Sequence, residues 1–349
     1  MTNIAGLTRA LVDIESITNN EEAVGTFLLE HLSRLAARTS GRVEGCEVEA
    51  NRFNVLAYWG DPVVTLSTHM DTVPPFFPSR EDAEFVWGRG SADAKGIIAS
   101  MIGAAEGLLE GGVRNFALLF VVGEERNSAG AYAAARNPRG SRYLINGEPT
   151  ENKLVLASKG MLRYEVEARG KLAHSAYPEL GESAIEKLLD ALQRVRAIKL
   201  PRDPLLGPCT LNIGVISGGR APNVIADAAM AEIGIRLVGD PEPVRRAMNE
   251  AVEGLAEARE ILCIPAIHFE ALDGFATSVV AYTTDVPAFA NSWGRPLLIG
   301  PGSIHVAHTN EERISKRDLA EAVRLYQRVV RDLLAATGKD ATPRSAAKS

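Results

Sequence analysis

Cysteine is scarce in this chain: three residues in 349, far apart at Cys46, Cys209 and Cys263. No CxxC spacing exists, which excludes a disulfide framework and a thiolate metal site. A lone catalytic thiol would need an activating setting, and none of the three lies in a glycine-rich elbow. They read as small buried hydrophobes. Long apolar runs are also missing, so no segment is long enough to span a bilayer. The opening MTNIAGLTRALVDIESITNNEE mixes charge with helical periodicity and lacks the apolar stretch and cleavage site of a secretory signal. There is no block of lysine and arginine, and the net charge is −6. Neither nucleic acid nor an anionic membrane is expected as a partner. These absences predict a cytoplasmic protein.

What is present is ordinary in bulk, with 46% hydrophobic and 23% charged residues. The length suits roughly two domains of about 150 residues each. VVTLSTHMDTV and ALLFVVGEE are short apolar runs that stop at polar residues, as buried parallel strands do. AKGIIASMIGAAEGLLEGG between them is helical and closes on Gly111 and Gly112. Strand, helix, strand in this order implies a right-handed crossover. Earlier, TNNEEAVGTFLLEHLSRLA predicts a helix opened by a capping box from Thr18 to Glu21. From about residue 160 the texture changes to the order βαββαβ, the ferredoxin-like split unit. Its second helix is expected over DPEPVRRAMNEAVEGLAEA, with Asp240 as cap, and its last strand over CIPAIHFEAL. The α/β texture then returns, with a final helix capped by Ser315 and Asp318. The expected architecture is an α/β domain over 1–159 and 272–338, an inserted ferredoxin-like domain over 160–271 and a flexible tail over 339–349.

Only six histidines are available. His69 and Asp71 form an H-x-D at a strand end, where alternate residues face the same way. Alone, such a pair could equally be a hydrogen-bonded couple in a core. WGRGSADAKG places Asp93 in a glycine-rich turn feeding a helix. Gly88-x-Gly90 suggests a dinucleotide loop, but Asp93 stands where the third glycine belongs and would repel a pyrophosphate. Lys95 could be a plain residue at the helix start. Glu124 and Glu125 follow a buried run, Glu148 follows another in LINGEPT, and GPGSIHVAHTNEE offers His305 and His308. His69, Asp93, Glu124, Glu125, Glu148 and His308 would all fall at the ends of buried segments in one α/β layer. Two imidazoles with four carboxylates suit two borderline divalent ions. Without cations, such a cluster would repel itself. One glutamate of the adjacent pair can then ligate, and its neighbour can serve as general base to a water.

The ordered motifs HxDTVP, GRGxxDxKG, GEE, GEPT, GxxAHSAxPxxGxxAI, GGxxPNVI and GPGxxxxAHTNE run through nearly the whole chain. In this order they resemble the dinuclear-zinc aminoacylase and carboxypeptidase family. That family includes acetylornithine deacetylase, succinyl-diaminopimelate desuccinylase and relatives acting on acyl-lysine. The resemblance implies a zinc-exopeptidase-like catalytic domain with an inserted lid and dimerisation domain. It implies two zinc ions, with cobalt or manganese as substitutes, bridged by Asp93. His69 and Glu148 would complete one site, and Glu125 and His308 the other. Glu124 would be the general base, Asp71 would orient His69, and the peptide after Asp93 would be cis. His174 would stabilise an oxyanion, often from the partner subunit, while Arg236, Asn223 and Gly302 would contact substrate. A buried structural salt bridge is the competing role for Arg236. The implied reaction is hydrolysis of a small N-acyl amino acid, with a dipeptidase or exopeptidase as alternative and a non-catalytic binding role third. Ser183, Gly234 and Ser303 depart from residues common in relatives, and Ser303 bears on the choice of substrate side chain.

Overall fold

A computed structural model describes residues 2–340. The chain forms two compact units. One comprises the chain up to Leu156, Phe269–Ser278 and the residues from Thr284; the other comprises Ala157–His268 and Val279–Thr283. No described helix is long and apolar enough to cross a membrane.

The first unit is built on a six-stranded sheet. Its spatial order is Arg42–Glu49, Arg52–Trp59, Phe116–Val121, Val64–His69, Tyr143–Asn146 and Arg295–Leu298. The last four run parallel, and the first two are antiparallel additions at one edge. The two central strands, Val64–His69 and Phe116–Val121, are buried along their whole length, so both faces are covered. Residues of Phe116–Val121 alternate accordingly. Leu118 and Phe120 join a core with Leu28, Ile98, Met101 and Tyr326, while Leu119 and Val121 join one with Ala131, Leu144 and Trp293. Each such large apolar side chain contributes roughly 1.5–3 kcal/mol by leaving water.

The helix expected after Thr18 spans Glu22–Thr39, but the capping box does not form. Thr18 Oγ1 donates instead to Asp71 Oδ2 (2.8 Å), and Glu21 pairs with buried Arg52 (2.6 Å). Both side chains are drawn into tertiary contacts, which outbid a local cap in the folded chain. The expected helix between the central strands spans Gly96–Glu110, with Gly112 at φ 75° after it. The final helix spans Lys316–Asp340, and Ser315 Oγ accepts from Asp318 N (3.3 Å). Tyr326 from this helix donates to Ile299 O (2.9 Å), which anchors the loop after the last parallel strand. The tail of the sequence reading lies, beyond Asp340, outside the described residues.

The second unit has a four-stranded antiparallel sheet in the order Thr210–Gly218, Ala228–Leu237, Gly160–Arg169 and Glu257–Ile264. Helices Ala184–Arg196 and Glu242–Val252 bury Leu188, Leu192, Val244 and Met248 against Leu162, Tyr164, Ile233 and Ile235. The second helix is shorter than DPEPVRRAMNEAVEGLAEA, and the last strand begins before CIPAIHFEAL. The helix ends at Val252, Gly254 turns at φ 76°, and the strand starts at Glu257. An edge strand reading EAREILCI, mostly exposed, carries no apolar alternation by which to find it.

Candidate active site

The parallel strands of the first unit end on one edge, where open α/β sheets place their sites. His69 is the last residue of its strand, and Glu124 and Glu125 follow Val121 closely. Glu148 lies two residues past Asn146. Its segment is tied to the His69 strand: Gly147 N donates to Ser67 O (2.8 Å) and Thr68 Oγ1 to Gly147 O (2.8 Å). Asp93 comes from the turn Ser91–Lys95 that enters the Gly96–Glu110 helix, and the Asp93–Ala94 peptide is cis. Gly90 opens this turn at φ 84°, where an added Cβ would meet Thr72 Cγ2 at 2.7 Å. His308 sits in the loop after Leu298 with φ 62°, a left-handed conformation uncommon for a residue with a side chain.

Two groups converge here: His69 with Asp93 and Glu148, and Asp93 with Glu125 and His308. In each, one donor atom per residue lies within 4.8 Å of the others. Asp93 belongs to both. Its Oδ1 is 3.0 Å from His69 Nε2, and its Oδ2 is 3.3 Å from His308 Nε2. His308 Nε2 is also 2.9 Å from Glu125 Oε1, and Asn146 Nδ2 donates to Glu148 Oε1 (3.3 Å).

Asp71 organises the edge from below. Its Oδ2 accepts from Thr18 Oγ1 (2.8 Å) and Glu125 N (3.2 Å), and its Oδ1 accepts from Glu124 N (3.1 Å). His69 Nδ1 lies 3.1 Å from Asp71 O and 3.4 Å from Asp71 Oδ1. A donor at Nδ1 leaves the Nε2 lone pair facing Asp93. Asp71, the residue expected to orient His69, therefore also holds the backbone of both glutamates.

The cluster is short of positive charge. Burial raises the carboxyls of Glu124, Glu125 and Glu148, and the neighbouring carboxylates add to it. Burial opposes a charge on His69, but its bonds to Asp71 and Asp93 outweigh that and hold the imidazole well above its usual range. Hydrogen bonds to Asp93 and Glu125 raise His308 to about 10. Asp93, although buried, is held below the usual carboxylate range by its bonds to the two imidazoles. Three glutamates and two imidazoles that draw in protons around the ionised Asp93 are a donor set with which divalent cations fit, since a cation supplies the missing charge.

Comparison with known proteins places this arrangement. Residues 65–332 match peptidase family M20/M25/M40. The chain belongs to the M20 peptidase family. It is 40% identical over 342 residues to a peptidase M20 domain-containing protein of Schizosaccharomyces pombe, covering 94% of this chain and 84% of that protein. It is 39% identical over 371 residues to a probable carboxypeptidase of Aspergillus oryzae, covering 92% and 85%. A Bacillus subtilis structure described as a dinuclear metal binding peptidase from the M20 family shares the fold. There the TM-score is 0.69 at 16% identity, with 95% of this chain and 97% of that one covered. This M20 peptidase is thus a metallopeptidase-family hydrolase with two groups of candidate metal ligands.

His305 is exposed, and its N–H donates to Ser303 Oγ (3.4 Å), while Ser303 donates to Glu151 (3.2 Å). Gly302 is buried at φ 83° and accepts from Glu151 N (2.8 Å). His174, Asn223 and Arg236 belong to the second unit. There Ala173–His174 pairs with Val224–Ile225, and Ser175 N donates to Asn223 O (3.1 Å), so His174 and Asn223 are neighbours. Arg236 is half-buried and has no salt bridge among the described residues.

Two buried groups of the M20 peptidase's first unit, Asp285 and Glu312, have no expected role in the sequence, and a third, Lys95, is not the plain helix-start residue expected. Lys95 is fully buried, donates to Ile14 O (2.5 Å) and is pushed down to about 7 by burial. Asp285, 1% exposed, is pushed up to about 7 by burial. Glu312 is ion-paired with Arg89 beneath the Asp93 turn. Only unusual burial marks these residues, and composition does not carry that signal.

Proposed function

We propose that this M20 peptidase hydrolyses the amide bond of a small N-acyl amino acid and releases the free amino acid, as acetylornithine- or acetyl-lysine-deacetylase-like enzymes of amino-acid biosynthesis do. One observation carries the reading: the convergence of His69, Asp93, Glu125, Glu148 and His308, with Glu124 buried beside them. Asp93 would bridge two divalent ions, with His69 and Glu148 on one and Glu125 and His308 on the other. The mixed nitrogen and oxygen donors suit zinc, with cobalt or manganese as substitutes. Such ions, when bound, acidify a water and polarise a scissile carbonyl.

The chain's own residues then handle the proton and the substrate. Glu124 takes the water proton and returns it to the leaving amine. Its buried setting favours the protonated form that must give that proton up. Asp71 keeps the His69 ring turned with Nε2 toward Asp93. His174 donates to the oxyanion. Arg236, a guanidinium without a carboxylate partner among the described residues, receives the substrate's α-carboxylate, and Asn223 and Gly302 contact the rest. The inserted unit is the proposed homodimer contact, and the proposed location is the cytoplasm.

A second reading, carboxypeptidase or dipeptidase action, has its own support: a relative at 39% identity is named a probable carboxypeptidase. The chemistry and the grip on a free carboxylate are the same. A binding protein without catalysis is disfavoured, because all five ligand positions and Glu124 are present. Amine release by the zinc- or cobalt-loaded protein separates these readings. The panel is N-acetylornithine, N-acetylcitrulline, N-acetyl-lysine, N-succinyl-diaminopimelate and several dipeptides. Turnover of one acyl amino acid well above the rest supports the deacylase. Turnover of dipeptides alone overturns it in favour of the peptidase.

A further inference from the structure

The turn carrying Asp93 is held by a residue from the far end of the chain. Glu312, 1% exposed, accepts the N–H groups of Ala92 and Asp93 on Oε1, both at 3.2 Å. Its Oε2 accepts from Arg89 Nη1 at 2.6 Å, and its carbonyl accepts from Gly88 N at 3.1 Å. One residue thus makes four hydrogen bonds to a six-residue stretch, Gly88 to Asp93. Arg89 is equally buried; its Nε donates to Pro75 O (3.2 Å) and its guanidinium lies 4.9 Å from the Phe77 ring. Glu312 follows His308 by four residues, and Arg313–Ser315 directly after it pairs antiparallel with Phe85–Trp87.

We propose that Glu312, paired with Arg89, is a positioning residue that locks the Asp93 turn to the loop bearing His308. The inference rests on the reading that Asp93, Glu125 and His308 hold a divalent ion. His308 is the one candidate ligand from the segment after the last parallel strand, so its placement 3.3 Å from Asp93 depends on what ties that segment to the turn. The lock has two parts. The carboxylate oxygen satisfies two buried N–H groups that fix the backbone of Asp93, and the guanidinium neutralises the charge of that carboxylate. Asp93 is shared by both groups, but His69 and Glu148 are held through other strands, so loss of the lock falls more heavily on the His308 side.

The test compares two double variants that are both neutral at this point. Arg89→Met with Glu312→Gln keeps an amide oxygen for the Ala92 and Asp93 N–H groups. Arg89→Met with Glu312→Leu fills the space without an acceptor. Chelator-stripped protein is titrated with zinc chloride by calorimetry, and thermal unfolding is followed in parallel; His308→Ala shows which ion belongs to the His308 side. The expected result is two ions for the wild type and for the Gln double variant. The Leu double variant should lose about tenfold or more in affinity for the His308-side ion and clearly less for the other. Glu312→Gln alone, which strands the buried guanidinium, should weaken the same ion. Equal affinities in the two double variants would overturn the lock, as would equal weakening of both ions in step with the melting temperature. A wild type that binds fewer than two ions would overturn the dinuclear reading and the lock with it.

Discussion

Replacing Asp71 by Asn tests how the edge of the sheet is held. The two side chains have the same shape, so packing is preserved, but one acceptor oxygen becomes an NH2 donor. Oδ2 faces Thr18 Oγ1 and the Glu125 N–H; Oδ1 faces the Glu124 N–H and His69 Nδ1. Whichever way the amide turns, one glutamate N–H meets a donor and loses its acceptor. A buried donor left unsatisfied costs about 1–3 kcal/mol, and the surviving bonds lose the strength that an ionised acceptor adds. Burial opposes the charge of Asp71, yet the bonds from His69, Thr18 and Glu125 keep its carboxyl below the usual range, so the folded state favours the carboxylate. The expected loss is about 2–4 kcal/mol, read as a fall in Tm of several degrees. Thr18→Val, which removes one bond to the same oxygen, should cost about 1 kcal/mol. Zinc affinity should drop about 10- to 100-fold in Asp71→Asn, because the His69 ring and the glutamate backbone are both released. Thermal melts and zinc titration of the three proteins measure this. An Asp71→Asn protein with wild-type Tm and wild-type zinc affinity would refute the hydrogen-bond accounting.

Glu124→Gln should abolish turnover of whichever substrate the panel identifies while two ions remain bound, and near-normal kcat would show that another group is the base. Chelator-stripped protein should lose stability as pH rises from about 4 through 7. The raised carboxyls of Glu124, Glu125, Glu148 and Asp285 (about 7) make the folded state bind more protons than the unfolded state in that window. His69 and His308 (about 10) extend the loss to higher pH, partly offset above 7 by Lys95 (about 7), whereas Asp71 and Asp93, held low, withdraw stability only as pH falls below about 4. Denaturant titrations in chelator at pH 5, 7 and 9 check the slope, and a flat or rising profile contradicts it; added zinc should restore stability at pH 7 and above. Gly130→Ala should destabilise by about 1–3 kcal/mol in chemical denaturation. Its Cβ would lie 2.5–2.6 Å from Asn54 Oδ1 and the Val122 backbone beside the glutamate turn. An unchanged midpoint would mean that this turn relaxes freely.

The two buried strands ending at His69 and before Glu124 could be read from the chain because a fully covered strand is written locally, as an apolar run with a polar stop. The same holds for the Gly96–Glu110 helix and for Leu162, Tyr164 and Val166 alternating along the second unit's central strand. The candidate ligands His69, Glu125 and Glu148 were legible for a related reason: each stands at or just after the end of such a run, and strand ends meet at one edge, whereas Asp93 and His308 come from loops. The tertiary structure decided what depends on distant partners. Thr18 and Glu21 spell a helix cap, and only the packing of residues more than fifty and about thirty positions away turns them toward Asp71 and Arg52. Asp285 reads as the residue before a short helix, yet the fold buries its carboxyl within the field of His69, Asp71 and Glu125. Glu312 looks like one more acidic residue in HTNEER until a partner 223 positions away meets it. A strand writes its own burial into a few neighbouring residues, but a buried charge is defined by what surrounds it, and that is settled only when the chain has closed.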